Sequence, residues 1–230
     1  MRLCAADLHI HNKSTNREAQ NKFLDLAESP AYDEILFLGD IWDRAVGAEA
    51  TLTDELTERI MDLAGRKTVT AIAGNFPHDD YGWLVSVAHR LSPIRVCYEV
   101  WEPQYRQLFT HGAQFDFTIS FWNHFRFVQR ILPELIKTFL IQSPSSLANQ
   151  GNYDALVRFT GPIHQRAQRY AIDNNMNIFM GHTHLRQSLN AAPVHPNGVE
   201  VLGSMGSGPY TYREWEAGKS EIKNLFPERC

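Results

Sequence analysis

The sequence predicts an α/β protein whose sheet begins parallel, and three observations lead to that class. Ile35-Leu36-Phe37-Leu38 is an uninterrupted apolar run that stops at Gly39-Asp40. It is too short to span a membrane and reads as a strand buried on both faces. Apolar runs of this kind alternate with amphipathic helical segments over the first 75 residues, the pattern of βαβ units. Finally, five apolar segments each run into a possible metal ligand. Arg2 to Ala6 leads to Asp7, Ile35 to Gly39 to Asp40, Thr68 to Gly74 to Asn75, Gln107 to Thr110 to His111, and Met176 to Gly181 to His182. Open α/β sheets bind ligands in the crevice beyond the carboxyl ends of their strands, which is where these residues would stand.

Taken in order, Asn16 to Ser29 carries Ala19, Phe23, Leu26 and Ala27 at helical spacing, with Asn16 as a cap and Pro30 beyond the end. Leu52, Leu56, Ile60, Leu63 and Ala64 draw a second helix over Leu52 to Ala64, ended by Gly65. Gly74 to Asp80 is a loop by composition, and Tyr81 to Leu91 is helical up to Ser92-Pro93. Ile94 to Val100 and Arg106 to Thr110 read as strands, with a hairpin around Glu102-Pro103. The aromatic stretch Phe117 to Ile141, interleaved with Arg126, Arg130 and Lys137, is helical and broken near Pro133. Ser143 to Gly151 connects it to a helix over Pro162 to Asp173, opened by its proline. After the strand to His182 come Val199 to Leu202, then Tyr210 to Trp215 and Ser220 to Leu225 as closing antiparallel strands.

A chain of 230 residues fits one domain over 1–230 and buries a substantial core. Its 43% hydrophobic and 21% charged residues are ordinary for a globular protein. A net charge of −4 without a basic stripe gives no general attraction to nucleic acid, so a phosphate-bearing substrate must be held by local positive charge. Cys4, Cys97 and Cys230 are odd in number and form no CxxC pair, so neither a disulfide framework nor a zinc-thiolate site is indicated. With no leader pattern and no apolar stretch of spanning length, the expected location is cytoplasmic, with peripheral membrane contact left open.

A dinuclear metal site needs oxygen ligands and imidazoles from several strands, one carboxylate shared by both ions, and an open position. Asp7, His9, Asp40, Asn75, His111, His182 and His184 match that need. Asp7, His9, Asp40 and His184 would hold one ion and Asp40, Asn75, His111 and His182 the other, with Asp40 as the bridge. Two such ions, ~3.5–4 Å apart, acidify a shared water whose hydroxide attacks phosphorus in line. Mixed imidazole, carboxylate and amide ligation suits manganese, iron or zinc better than magnesium. Arg44, near the expected mouth, and Asn75 are candidates for binding the substrate phosphate. His11, Asp43 and Asp79 fit supporting roles better than ligation.

The motifs DLHIH (7–11), GDIWD (39–43), GNFPHD (74–79), THG (110–112) and GHTH (181–184), in that order, resemble the series of the calcineurin-like metallophosphoesterase family. The resemblance implies a four-layer α/β sandwich, two mixed β-sheets packed together with helices outside, and agrees with the ligand assignment above. Thr110-His111-Gly112-Ala113-Gln114-Phe115-Asp116, followed by the aromatic helical insertion at about 117–150, is most similar to the branch related to UDP-2,3-diacylglucosamine pyrophosphatase. That likeness implies a helical lid over a nucleotide- or lipid-linked substrate; packing of the insertion against the core is the alternative.

One departure bears on mechanism. Many family members place a histidine directly after the ligand asparagine as general acid, whereas Phe76 stands there and His78 follows two residues later. His78 either loops back to serve, or the enzyme depends on a good leaving group such as a nucleotide phosphate. The expected activity is therefore metal-dependent hydrolysis of a phosphodiester or pyrophosphate bond in a small molecule, with Asp40, Asn75 and His78 as its catalytic residues. A cyclic-nucleotide phosphodiesterase, a phosphomonoesterase and a non-catalytic scaffold on the same fold are the alternatives.

Overall fold

Alternation along two short strands sorts their side chains into different cores. From β1 (Arg2–Ala5) and β2 (Glu34–Phe37), Leu3, Ala5, Ile35 and Phe37 pack with α1 (Arg17–Glu28) and α2 (Glu55–Ala64). Cys4 and Leu36 point the opposite way, into a cluster with Phe109 and Phe179. A period of two with both faces apolar is what a sheet covered on both sides requires. These relations come from a computed structural model that describes residues 1–11, 15–43, 52–75, 78–116, 153–184, 187–190, 198–204, 210–216 and 219–226.

The remaining strands are β3 (Thr68–Ile72), β4 (Arg95–Cys97), β5 (Glu99–Glu102), β6 (Gln107–Thr110), β7 (Asn177–Met180), β8 (Gln187–Asn190), β9 (Gly198–Val201), β10 (Thr211–Glu216) and β11 (Lys219–Asn224). One sheet runs β11-β10-β1-β2-β3-β4, parallel from β1 to β4 and closed at one edge by the antiparallel pair β10 and β11. The other runs β5-β6-β7-β9-β8, with β6, β7 and β9 parallel and an antiparallel strand at each edge. Phe109, Phe179, Cys4 and Leu36 fill the space between the sheets. On the outer face of the second sheet Leu108, Ile178, Met180 and Val201 pack against Ile163, Ala167 and Ala171 of α4 (Tyr153–Asp173). Helix, sheet, sheet and helix make the four layers of the expected sandwich.

Most elements stand where the sequence puts them, and the exceptions have physical causes. Asn16 caps α1, its Oδ1 accepting from the Ala19 N–H at 3.2 Å. The second helix begins at Glu55 and not at Leu52, because Asp54 accepts from the Leu56 N–H at 2.8 Å and so sets the start. The third, α3 (Tyr81–Val87), is shorter than expected. Residues 94–100, read as one strand, are two: the chain leaves the first sheet after Cys97, turns at Tyr98, and enters the second at Glu99. Strand propensity carries no information about which sheet a residue joins. Pro162 lies inside α4 and does not open it. The proline removes a single N–H, the one that would reach the carbonyl of exposed Arg158, while the Ile163, Ala167 and Ala171 stripe continues to anchor the helix. The insertion expected at about 117–150 lies outside the described residues, and no described helix is long and apolar enough to cross a membrane.

Two arginines are buried at the junction of the sheets. Arg2 pairs with Glu34 at 2.8 Å and Glu102 at 2.6 Å, with its guanidinium 4.6 Å from the Trp215 ring centroid. Arg213 pairs with Glu200 and lies 4.0 Å from the Phe179 ring. Beside them Cys4 is fully buried, and burial pushes its thiol up to about 12. With almost no thiolate present, Cys4 is expected to resist iodoacetamide at pH 8.5 in the native protein. It should react only after unfolding, a difference that mass spectrometry of the labelled peptide reads directly.

Candidate metal centre

Because β1, β2 and β3 are parallel, their carboxyl ends point the same way, and so do those of β6 and β7. Asp7 and His9 follow β1, Asp40 follows β2 and Asn75 follows β3, while His111 follows β6 and His182 and His184 follow β7. All seven side chains are buried. Five of them have backbones in the left-handed region: Asp7 at φ 54°, His9 at 50°, Asp40 at 50°, His182 at 71° and His184 at 55°. Each such residue costs on the order of 1 kcal/mol, and strain of this kind collects where side chains must converge. Backbone bonds from Asp7 N to Gly39 O (3.1 Å) and from His9 N to Asp40 O (2.9 Å) tie the β1 and β2 loops together. Two glycines make room: a Cβ on Gly74 would stand 2.0 Å from Asp40 Oδ1, and one on Gly181 2.6 Å from Asp7 Oδ2.

The ligand atoms gather in overlapping groups, each within 4.8 Å: Asp7, His9 and His184; Asp40, His111 and His182; and His9, Asp40 and His78. The first two fall within the two halves read from the sequence, with Asp40 grouped in the second and meeting the first through His9 in the third. His9 Nε2 is 3.2 Å from His184 Nε2, and His184 Nε2 is 3.6 Å from Asp7 Oδ1. His111 Nε2 lies 2.9 Å from Asn75 Oδ1, 3.2 Å from His182 Nδ1 and 3.4 Å from Asp40 Oδ2. His111 Nδ1–H donates to the Leu38 carbonyl at 2.8 Å, which turns Nε2 inward. Imidazole nitrogens of His9 and His184 thus face each other 3.2 Å apart, and a proton on His111 Nε2 stands among Asn75, Asp40 and His182 where a cation could replace it, so this donor set fits divalent cations.

The electrostatics say the same. Burial works against charge on Asp40, yet His111, His78 and His9 around it hold its carboxyl well below the usual range. Burial and the Asp40 charge push Asp7 well above that range. Burial opposes protonation of His111, but Asp40 and Asp7 carry it up to about 9, so the pocket draws positive charge to itself. His184, buried, is held down at about 3, and His9 is also well below its ordinary value. Both therefore present neutral imidazole, the form that ligates.

His78 is brought to the cluster, with Nε2 3.8 Å from Asp40 Oδ2 and its ring 4.6 Å from that of His9. Its backbone N–H donates to the Asn75 carbonyl at 2.7 Å, which turns the loop back. Asp79 ligates nothing: its carboxylate accepts from Asp40 N (2.9 Å), Ile41 N (2.9 Å), Trp42 N (3.4 Å) and Gly74 N (3.1 Å). His11 faces Asp54 at 3.5 Å, away from the ligand groups. Asp43 joins the β1 loop through its N–H to the Ile10 carbonyl. Arg44 lies outside the described residues. Sequence reading missed three supports. Asp116 Oδ2 stands 3.1 Å from His182 Nε2, His164 Nε2 stands 3.0 Å from Thr183 Oγ1, and Ser204 Oγ donates to the Asp7 carbonyl at 2.8 Å. Asp116 alone carried a signal, as a carboxylate just beyond a candidate ligand.

Comparison with known proteins places these features in context. No curated protein matches the chain. Among solved structures, Yfce, a phosphoesterase from E. coli, is 16% identical with a TM-score of 0.46 over 92% of this chain and 86% of its own. Protein AQ665 from Aquifex aeolicus is 12% identical with a TM-score of 0.46 over 89% of each chain. Vacuolar Protein Sorting 29 from Cryptosporidium parvum is 12% identical with a TM-score of 0.44 over 96% of this chain and 94% of its own. The sequence profile described as calcineurin-like phosphoesterase matches residues 2–186, a span that runs from the first strand past His184. The chain belongs to the calcineurin-like phosphoesterase family.

Proposed function

We propose that the protein is a dinuclear metal-dependent hydrolase that cleaves a phosphodiester or pyrophosphate bond in a small, nucleotide-linked molecule. The observation that carries the reading is a pair of His/Asp groups, Asp7/His9/His184 and Asp40/His111/His182, joined through a third in which Asp40 meets His9. Asp7, His9, Asp40 and His184 would hold one ion and Asp40, Asn75, His111 and His182 the other, with manganese the best fit and iron or zinc next. When bound, such ions acidify a water and neutralise charge on the phosphoryl oxygens.

The chain's own residues supply the rest. Asp40 accepts from the Asn75 N–H at 3.0 Å, so the β2 and β3 loops stay in register around the carboxylate. Burial of all seven ligands excludes bulk water, which strengthens every charge interaction within. His78, 3.8 Å from Asp40 Oδ2, would hold a proton for the leaving oxygen as the P–O bond breaks. It makes the third group with His9 and Asp40 without belonging to either of the others. The likeness of residues 110–116 to the UDP-2,3-diacylglucosamine pyrophosphatase branch supports a pyrophosphate bond, whose nucleotide phosphate is a good leaving group. The same likeness supports the 117–150 insertion as a lid, while the length of 230 residues supports a single domain over 1–230 and the net charge of −4 without a basic stripe supports a small-molecule substrate over nucleic acid, in the cytoplasm or at a membrane surface.

His78→Ala tests the proton role. General acids contribute roughly 100-fold or more where the leaving group is poor. The variant should lose about that much kcat on an alkyl phosphodiester and far less on bis-p-nitrophenyl phosphate, whose leaving group departs as the anion. Equal losses on both would remove His78 from the proton path. The wider reading is tested by metal content of the purified protein, followed by a panel of nucleotide diphosphate sugars, lipid-linked nucleotides, cyclic nucleotides and phosphomonoesters. Metal-free protein with no turnover on any of them would favour a scaffold.

A further inference from the structure

We infer that Asp116 is a positioning residue for this centre: its carboxylate holds the His182 imidazole in the tautomer that turns Nδ1 toward Asp40 and His111. The inference rests on the cluster being a metal centre, and it names what sets the geometry of one ligand in it.

Asp116 ends a short 3₁₀ turn, Ala113–Phe115, entered through Gly112 at φ 105°. Its own N–H donates to the Ala113 carbonyl at 3.1 Å, which fixes the backbone that carries the carboxylate. The side chain is 6% exposed, and Oδ2 stands 3.1 Å from His182 Nε2. An ionised carboxylate only accepts, so Nε2 carries the hydrogen and Nδ1 keeps its lone pair. That lone pair faces the His111 Nε2 atom at 3.2 Å, in the group that includes Asp40. In the other tautomer, an Nε2 lone pair would be pressed against the carboxylate.

The backbone of His182 is held as well. Its N–H lies 3.2 and 3.1 Å from the two Asp7 oxygens, and its φ of 71° is maintained under that restraint. With backbone and ring both tied down, Nδ1 has one direction left to point. His111 is oriented instead by a neutral carbonyl, that of Leu38. A carboxylate behind an imidazole fixes its tautomer and ring orientation, which the Leu38 carbonyl does for His111 without a charge.

The test uses the full-length protein, stripped of metal and then titrated with Mn²⁺ against a chromophoric chelator. Loss of such a partner weakens metal binding by roughly 10- to 100-fold. Asp116→Ala should show that loss at one of two sites and leave the other at its wild-type affinity. Imidazole ¹⁵N shifts of the metal-stripped protein give a second readout. His182 should be the Nε2–H tautomer in wild type and a mixture of tautomers in the variant, a change that a purely structural role would not produce. Should Asp116→Ala fail to fold, Asp116→Asn, of nearly the same size, carries the measurement. Variants with wild-type affinity at both sites overturn the inference, whatever their tautomer. A wild-type protein that binds no ion overturns the metal reading beneath it, and the two failures are told apart by the wild-type titration alone.

Discussion

Asp40→Ala should leave a folded protein whose metal-dependent phosphoester hydrolysis falls to background. Asp40 belongs to two of the three ligand groups, and its Oδ1 accepts the Asn75 N–H. Removing it takes the carboxylate from the His111 and His182 group, breaks the link to His9 and frees the β3 loop. It also takes away the charge that carries His111 up to about 9, so that imidazole loses its main reason to be protonated. Steady-state kinetics on bis-p-nitrophenyl phosphate with saturating Mn²⁺, beside circular dichroism, would check the outcome. A folded variant with undiminished turnover would contradict the role. Asn75→Ala should follow the same course, less completely, because it touches one half.

The second large effect belongs to a residue that ligates nothing. Asp79→Ala should destabilise the protein by about 3 kcal/mol or more. Four backbone N–H groups from two loops converge on its carboxylate, and each buried donor left without an acceptor costs roughly 1–3 kcal/mol. Three of the four belong to Asp40, Ile41 and Trp42, so the same change releases the strained turn that presents Asp40. Urea unfolding and metal binding should therefore worsen together. Asp79→Asn would keep the size but set an amide NH₂ among N–H donors, and should retain only part of the stability. A variant whose unfolding midpoint matches wild type would show that the two loops hold themselves.

How far these features can be read from the sequence depends on the range over which the cause acts. Ile35 to Leu38 announces a strand covered on both faces because its whole length is apolar, and the ligands announce themselves by ending such strands. Asn16 was readable as a cap because a cap acts within one turn. The split at Tyr98 was not readable, since it reflects which sheet has a vacant edge, a property of residues far away in the chain. Pro162 misled because proline disfavours a helix locally, whereas the Ile163, Ala167 and Ala171 stripe secures one through tertiary packing. At the site, the convergence of the seven candidate side chains was legible and their supports were not. Asp79 could be assigned a supporting role from its place in the loop, but not its four donors. The Asp116 pairing joins residues 66 apart, and His164 reaches Thr183 from a helix whose start was misjudged.

The measurement that bears most directly on the centre is an anomalous difference map from a crystal soaked in manganese. Two peaks about 3.5–4 Å apart, with Asp40 between them, Asp7, His9 and His184 around one and Asn75, His111 and His182 around the other, are the expected result. A map without peaks among these side chains, in crystals shown to contain manganese, would contradict it.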